Sequence, residues 1–335
     1  MGEIDTQLQT SVVELVKSDV LAADLRWSLF IGALDSYRHD SVLRPYPPGP
    51  HLLTPDGEKD FNALKSVAGR IPNMKMILEG RGLSGMQQEE WDLLKWVLEP
   101  NIFSVKSVDV EKKYRAIQDL TGAASYEVKP SFIFEVEYHS AAGDRFKTLS
   151  EEYDVLYAYH GSRWDNFHSI TSNGLHAHMS KNTLYGEGTY LSSDLAVSLP
   201  YSPAGRGWSR SLIGSTLSCV AVCAMLDHPG VKCQVKDTQS NPSPSRSHAP
   251  DSLGGAVPER YYVVTNSETV QIKYLLIFAD KKVSQGSSTR VSHRQRWIRE
   301  HLFSLLLVGY IIVLVLVSFV NSRSFQSMWR RYVNS

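Results

Sequence analysis

The chain has 335 residues, 42% hydrophobic and 21% charged, with 35 Lys and Arg against 35 Asp and Glu. This composition is globular and large enough to bury a core, which excludes a disordered chain. Zero net charge argues against a general nucleic-acid binder, and three cysteines exclude a disulfide scaffold and fit a reducing compartment.

In chain order, residues 1–101 read as a helical domain. Val12, Val13, Leu15 and Val16 open an apolar pattern, and Asp19 is placed to cap a second helix over 20–38. Pro45, Pro47, Pro48 and Pro50 break the chain, and two more helices are expected around 61–65 and 91–97. No chemistry is visible in this part, and it reads as packing. From about residue 102 the texture changes to alternation, with strands expected at 131–138, 155–159, 217–225, 261–264 and 270–278. Residues 102–280 form the expected second domain, interrupted by a flexible polar loop at 236–258.

Residues 281–300 are a polar, basic tether, whose charges either meet anionic lipid headgroups or simply set the topology of the segment that follows. Leu302 to Val320 then reads LFSLLLVGYIIVLVLVSFV, 19 residues without a charge. At about 1.5 Å per residue that run spans about 28 Å, the thickness of a hydrocarbon core. Trp297 and Trp329 flank it, and Arg290, Arg294, Arg296 and Arg299 crowd its N-terminal side. The opening residues are too polar for a signal peptide. The expectation is therefore a single tail anchor at 301–320, inserted after translation. The bulk of the protein would face the cytosol and a short tail, 321–335, the lumen. Lys281, Lys282 and the arginines carry those tether charges.

The densest chemistry runs from Tyr159 to Tyr201. A strand ends in Tyr159-His160-Gly161-Ser162-Arg163, a short helical stretch follows over 164–172, and Asn173-Gly174-Leu175 closes it. Gly186-Glu187-Gly188-Thr189-Tyr190-Leu191-Ser192-Ser193 comes next, then Ser198-Leu199-Pro200-Tyr201. A His-Gly at a strand end sets an imidazole beside a backbone that a ligand amide can approach closely. Cys219, Cys223, His228 and Cys233 lack a CxxC spacing, and the first two lie in an apolar strand, so no metal is expected. No GxSxG elbow is present to suggest a hydrolase.

Taken together, HGSRWDNF, the NGL after it, YGEGTYLSS and the Ser198/Tyr201 pair resemble the ADP-ribosyltransferase domain of the poly(ADP-ribose) polymerase family, in its diphtheria-toxin-like branch. The resemblance covers about residues 102–280. The helical N-terminal part and the lone C-terminal anchor resemble the family's tail-anchored mono-ADP-ribosyltransferases of the endoplasmic reticulum, which are connected with the unfolded protein response. The resemblance implies an α+β fold in which a helical domain packs on two antiparallel sheets forming an NAD cleft. It implies NAD as the consumed substrate, with no metal and no nucleic acid. The implied partners are protein acceptors, the chain itself included, and membrane lipid through the anchor. The implied location is the endoplasmic reticulum membrane, continuous with the nuclear envelope.

Residue by residue, the resemblance implies that His160 bonds the adenosine ribose and that Gly161 holds the nicotinamide carboxamide through its backbone. Tyr190 and Tyr201 would sandwich the ring, and Ser198 would donate to the carboxamide oxygen. Ser162 and Asn166 would reach the rest of NAD. His160, Tyr190 and Tyr261 form the implied catalytic set. Two departures stand out. His176 occupies a place where many members carry an Arg near the adenine, and it is left out of the implied site. Tyr261 occupies the place where polymer-forming members carry Glu. A phenol is a poor base at neutral pH, so one transfer per acceptor is expected. The rival reading is a membrane scaffold that keeps the NAD pocket without catalysis.

Overall fold

A computed structural model describes residues 5–122, 128–139, 141–177, 184–233 and 257–279. They all belong to the first of two units, Met1–Asp280 and Lys281–Ser335. The tether, the apolar run at 301–320, the 321–335 tail and nearly all of the expected loop at 236–258 lie outside the described residues. No helix among the described residues is long and apolar enough to cross a membrane.

Acidic and amide caps start most of the N-terminal helices. Asp5 caps α1 (Thr6–Ser18), Asp19 caps α2 (Val20–Leu34), Asp60 caps α4 (Phe61–Arg70) and Asn73 caps α5 (Met74–Leu78). Each accepts hydrogen bonds from the first-turn N–H groups that have no helical partner. A one-turn helix, α3 (His39–Val42), precedes the proline segment. In α6 (Gln88–Leu98) the buried Glu90 closes a capping box with Gln87 and bonds Arg70 Nε.

The strand-rich half begins with β1 (Phe103–Val108), α7 (Val110–Thr121), β2 (Phe132–Tyr138), α8 (Ala141–Leu149) and β3 (Val155–Gly161). A 3-10 turn, Trp164–Asn166, leads into α9 (Phe167–Asn173), followed by β4 (Thr189–Ser192) and α10 (Leu195–Ser198). Then come β5 (Gly205–Arg206), β6 (Thr216–Leu226), β7 (Val231–Cys233), β8 (Tyr261–Val264) and β9 (Val270–Ala279). The strands run antiparallel in the order β1-β2-β9-β6-β3-β4-β8-β7, with β5 on β6. The two sheets expected from the sequence are thus one hydrogen-bonded path. β3 and β4 share one register pair, Tyr159 with Ser192, so a single rung of the backbone ladder joins the halves either side of that seam.

β6 is an almost unbroken apolar run because both of its faces are covered. Leu217, Cys219, Ala221, Cys223 and Met225 pack with α2 residues Ala22, Leu25 and Leu29 and with Trp164. Val220 and Val222 pack with Tyr114 and Ile117 of α7 on the other face. Helix α2 serves two cores. Its Trp27, Phe30 and Leu34 belong to the helical core with Trp91 and Leu94, while Leu25 and Leu29 belong to the sheet core. A Cβ at Gly32 would lie 2.4 Å from Trp164 Nε1, so only glycine lets α2 approach the turn that starts α9. Asp24 of the same helix is buried and accepts from Ser211 Oγ and from the N–H groups of Leu212 (3.0 Å) and Ile213 (3.3 Å). Residues 5–98 and the sheet therefore share their packing.

Candidate active site

The end of β3, the turn after it, β4, α10 and β8 converge on a cavity of about 340 Å³. All eight residues picked out from the sequence line it: His160, Gly161, Ser162, Asn166, Tyr190, Ser198, Tyr201 and Tyr261. Tyr261 pairs in register with Ser192. Its neighbour Tyr262 packs against the sheet core instead, as the alternation of a strand requires.

His160 hydrogen-bonds the Tyr190 carbonyl through Nδ1 at 2.9 Å. A carbonyl only accepts, so Nδ1 carries the proton. Burial pushes the imidazole below its ordinary value, and the Tyr190 carbonyl opposes this. The ring is therefore neutral at physiological pH and presents Nε2 as an acceptor. Tyr190 is itself fixed at its far end: its hydroxyl donates to Gly186 O at 2.7 Å and accepts from Tyr185 N at 2.8 Å. Gly188, just before β4, sits at φ +154°, and a Cβ there would lie 2.6 Å from Val263 Cγ1.

Gly161 is the closest point of approach. A Cβ on it would lie 2.1 Å from the Ser198 carbonyl oxygen, well inside any allowed contact, so β3 and α10 meet only because side-chain bulk is absent. Ser198 is buried, and its hydroxyl donates to Tyr159 O at 3.1 Å. Tyr201 stands at the mouth with 49% of its surface exposed. Burial and a hydrogen bond with Tyr201 push the Tyr261 phenol above its ordinary value, and the Tyr185 ring lies 5.8 Å from that of Tyr261.

Directly after Gly161, the Ser162 Oγ accepts from Asn166 Nδ2 at 2.9 Å. Beneath it, Asp165 accepts from Ser36 Oγ (2.7 Å), Arg38 Nη2 (2.9 Å) and Arg163 Nε (3.3 Å). Burial raises the Asp165 carboxyl, but these hydrogen bonds and the two guanidinium charges outweigh it and hold the group below the usual carboxylate range. Two guanidinium groups share this one carboxylate, and of the two arginines Arg38 lines the cavity. Cys219 and Cys223 lie buried in β6, and no group of three or more potential metal ligands occurs among the described residues.

Residues 110–279 match the profile described as Poly(ADP-ribose) polymerase catalytic domain, and residues 14–98 match that of the ARTD15 N-terminal domain. The chain is 44% identical over 320 residues to mouse (Mus musculus) protein mono-ADP-ribosyltransferase PARP16, covering 95% of this chain and 96% of the relative. The chain belongs to the poly(ADP-ribose) polymerase family. The human (Homo sapiens) PARP16 is 43% identical with the same coverage. Mouse protein mono-ADP-ribosyltransferase PARP8 is 24% identical over 62% of this chain and 28% of its own length.

Two parts of the cavity lie outside the residues that the sequence motifs mark. His176, set aside above, lines it, with Nε2 bonded to Asn173 O at 2.8 Å. More important, the helical part read as packing alone supplies Arg38, Ser41 and Val42 to the wall. No local pattern marks these three. An arginine shortly after the apolar run of α2, beyond Asp35-Ser36-Tyr37, is the available signal, and it is a weak one.

Proposed function

We infer that the protein transfers single ADP-ribose units from NAD to protein side chains, its own included, with release of nicotinamide. In this reaction the bond between the ribose C1′ and the nicotinamide nitrogen breaks. A bond forms between C1′ and an acceptor heteroatom, and the acceptor's proton is released. The observation that carries the reading is the cradle at Gly161, where a bare strand end is held against α10 between Tyr190 and Tyr201. A planar carboxamide-bearing ring fits it. The Gly161 backbone offers a donor and an acceptor to the amide, the Ser198 hydroxyl turns from Tyr159 O to the amide oxygen, and the two phenol rings cover the faces of a cationic ring. His160 Nε2, fixed as an acceptor, takes a hydrogen bond from a ribose hydroxyl. Cleavage passes through an oxocarbenium-like state, so orientation and electrostatics supply most of the rate.

Tyr261 limits the product. Its phenol, raised above the ordinary value, stays neutral and cannot activate the hydroxyl of a growing chain. Incubation of the full chain with NAD labelled in its adenylate half, followed by gel analysis and measurement of released nicotinamide, tests the reading. Discrete labelled bands with matching nicotinamide are expected. A ladder would overturn mono-transfer, and binding without nicotinamide release would favour the scaffold. Tyr261→Glu is expected to lower activity without producing chains, because it adds a charge but no acceptor pocket.

The uncharged run at 302–320, with its basic and aromatic flanks, supports a single anchor in the endoplasmic reticulum membrane with residues 1–280 in the cytosol. Deleting residues 300–335 is expected to release the enzyme from carbonate-washed membranes with its activity intact. A truncated protein that still pellets with those membranes would refute the anchor.

A further inference from the structure

We propose that Arg38, carried by the N-terminal helical part, is a positioning residue for the adenosine end of NAD, acting through Asn166 on Ser162. The proposal rests on the reading of the cavity as the NAD site. Its basis is the direction in which protons can be donated along three side chains.

Arg38 Nη2 lies 3.0 Å from Asn166 Oδ1 and 2.9 Å from Asp165 Oδ1. A guanidinium has donors only. It therefore fixes which end of the Asn166 amide faces it, and Nδ2 is left to face Ser162 Oγ at 2.9 Å. An amide nitrogen only donates, so the Ser162 hydroxyl accepts there, which leaves its own hydrogen to be donated to a ligand in the cavity it lines. The Ser162 backbone is held as well, with its N–H donating to Ser202 Oγ at 3.1 Å. The outcome is a hydroxyl available as a donor in the same cavity as His160 Nε2, which is set as an acceptor. That complementary pair suits a ribose diol, in which one hydroxyl donates while another accepts.

Two further features fit this role. Asn166 enters α9 in helical backbone, φ −79° and ψ −23°, which is not a capping geometry, so its side chain makes no capping bond. Its amide is committed to the relay instead. Arg38 in turn is anchored from beneath by Asp165, which also accepts from Ser36, a second residue of the segment after α2. The helical part thus reaches the cavity through a side chain whose two ends are both specified. Without Arg38 the Asn166 amide is free to flip, and Ser162 loses its preferred direction.

The test uses the full chain, with Arg38→Ala, Arg38→Lys and Asn166→Asp. KM and kcat are measured with NAD and with an analogue lacking both hydroxyls of the adenosine ribose, alongside thermal unfolding. Arg38→Ala is expected to raise KM for NAD about tenfold, the size of one hydrogen bond, with kcat within about twofold of wild type. With the analogue, wild type and Arg38→Ala are expected to share one KM, because the hydroxyl that the relay serves is gone. Arg38→Lys, which keeps a donor-only cation, should recover part of the loss. Asn166→Asp keeps a partner for Arg38 but cannot donate to Ser162, so it should reproduce the KM rise. It decides the matter should Arg38→Ala fail to fold.

An unchanged KM for NAD in folded Arg38→Ala, or a normal KM in Asn166→Asp, would overturn the relay. Equal losses on NAD and on the analogue would also overturn it, since that is the signature of a purely structural arginine. Failure of the underlying NAD reading looks different: the wild type itself would not release nicotinamide, or His160→Ala would be as active as wild type.

Discussion

The cavity has two walls made in different ways. The strand wall carries His160, Gly161, Tyr190 and Tyr261 on β3, β4 and β8, and backbone ladders set its geometry. The helical wall carries Arg38, Ser41 and Val42 just beyond α2, and side chains set its geometry. These contacts are Arg38 and Ser36 on Asp165, Asn173 Nδ2 on Arg44 O, and His168 Nε2 on Pro45 O. The first wall tolerates changes at its surface because the register is held by bonds that every residue makes. The second depends on a few specific pairs, so one substitution can move it. The difference teaches that chemistry and positioning are divided between the walls, and that they should fail separately.

The largest effect tests the strand wall. His160→Ala removes an acceptor without touching the ladder. It is expected to lower kcat/KM by about two to three orders of magnitude, the usual size for a lost positioning contact, with little change in Tm. A large drop in Tm would mean that the strand wall, too, depends on its side chains.

The next prediction concerns the helical wall. Burial holds the His168 imidazole down to about 4, against an ordinary 6.5. Between those values the unfolded chain binds the extra proton, so stability rises with pH. The contribution is complete above about 6.5 and is lost as pH falls toward about 4; its full size is about 3 kcal/mol. His168→Gln should flatten the stability–pH curve in that window relative to wild type, as followed by urea unfolding. Identical slopes in the two proteins would show that His168 is not the titrating group.

Gly32→Ala sharpens the comparison from the back of the same wall. The new methyl meets the Trp164 indole, one residue before Asp165. A loss of about 2 kcal/mol is expected, together with a higher KM for NAD, because the turn bearing Asp165 and Asn166 must shift. Thermal unfolding and steady-state kinetics read both effects. An undisturbed KM would uncouple α2 from the site.

Arg145→Ala gives the smallest effect. Arg145 pairs with Glu268 in the open, away from both walls, and exposed pairs contribute less than about 1 kcal/mol. A change in Tm of no more than a few degrees and unaltered kinetics are expected. A kinetic effect here would mean that the cavity responds to unspecific surface change.

The unequal legibility of the walls follows from how each is built. The strand wall was readable because its constraints are local. A glycine is required where Gly161 meets Ser198, and an aromatic residue, Tyr190, follows two positions after a glycine with positive φ, Gly188. Such requirements leave a spaced pattern in the sequence. Arg38 satisfies a requirement set by Asp165 and Asn166, far along the chain, and nothing beside it announces the partner. In the fold, the strands at 132–138, 216–226 and 270–279 were visible as apolar or alternating runs. Helices α7 and α8 were not, because each interrupts a region dominated by alternation. The joining of all strands into one path was also hidden, since it turns on one register pair between Tyr159 and Ser192.

Helix α2 has a consequence for biogenesis. The ribosome completes it early, yet its apolar circumference is covered from two sides, and one of the covering surfaces includes Leu275 and Ile277 near the end of β9. At ordinary synthesis speeds the wait for that surface is on the order of ten seconds or more. During that interval Leu25 and Leu29 have no sheet to rest on. The N-terminal helices therefore cannot reach their final packing as an independent early product, and any nascent chain interrupted before β9 leaves a greasy helix face for chaperones to hold.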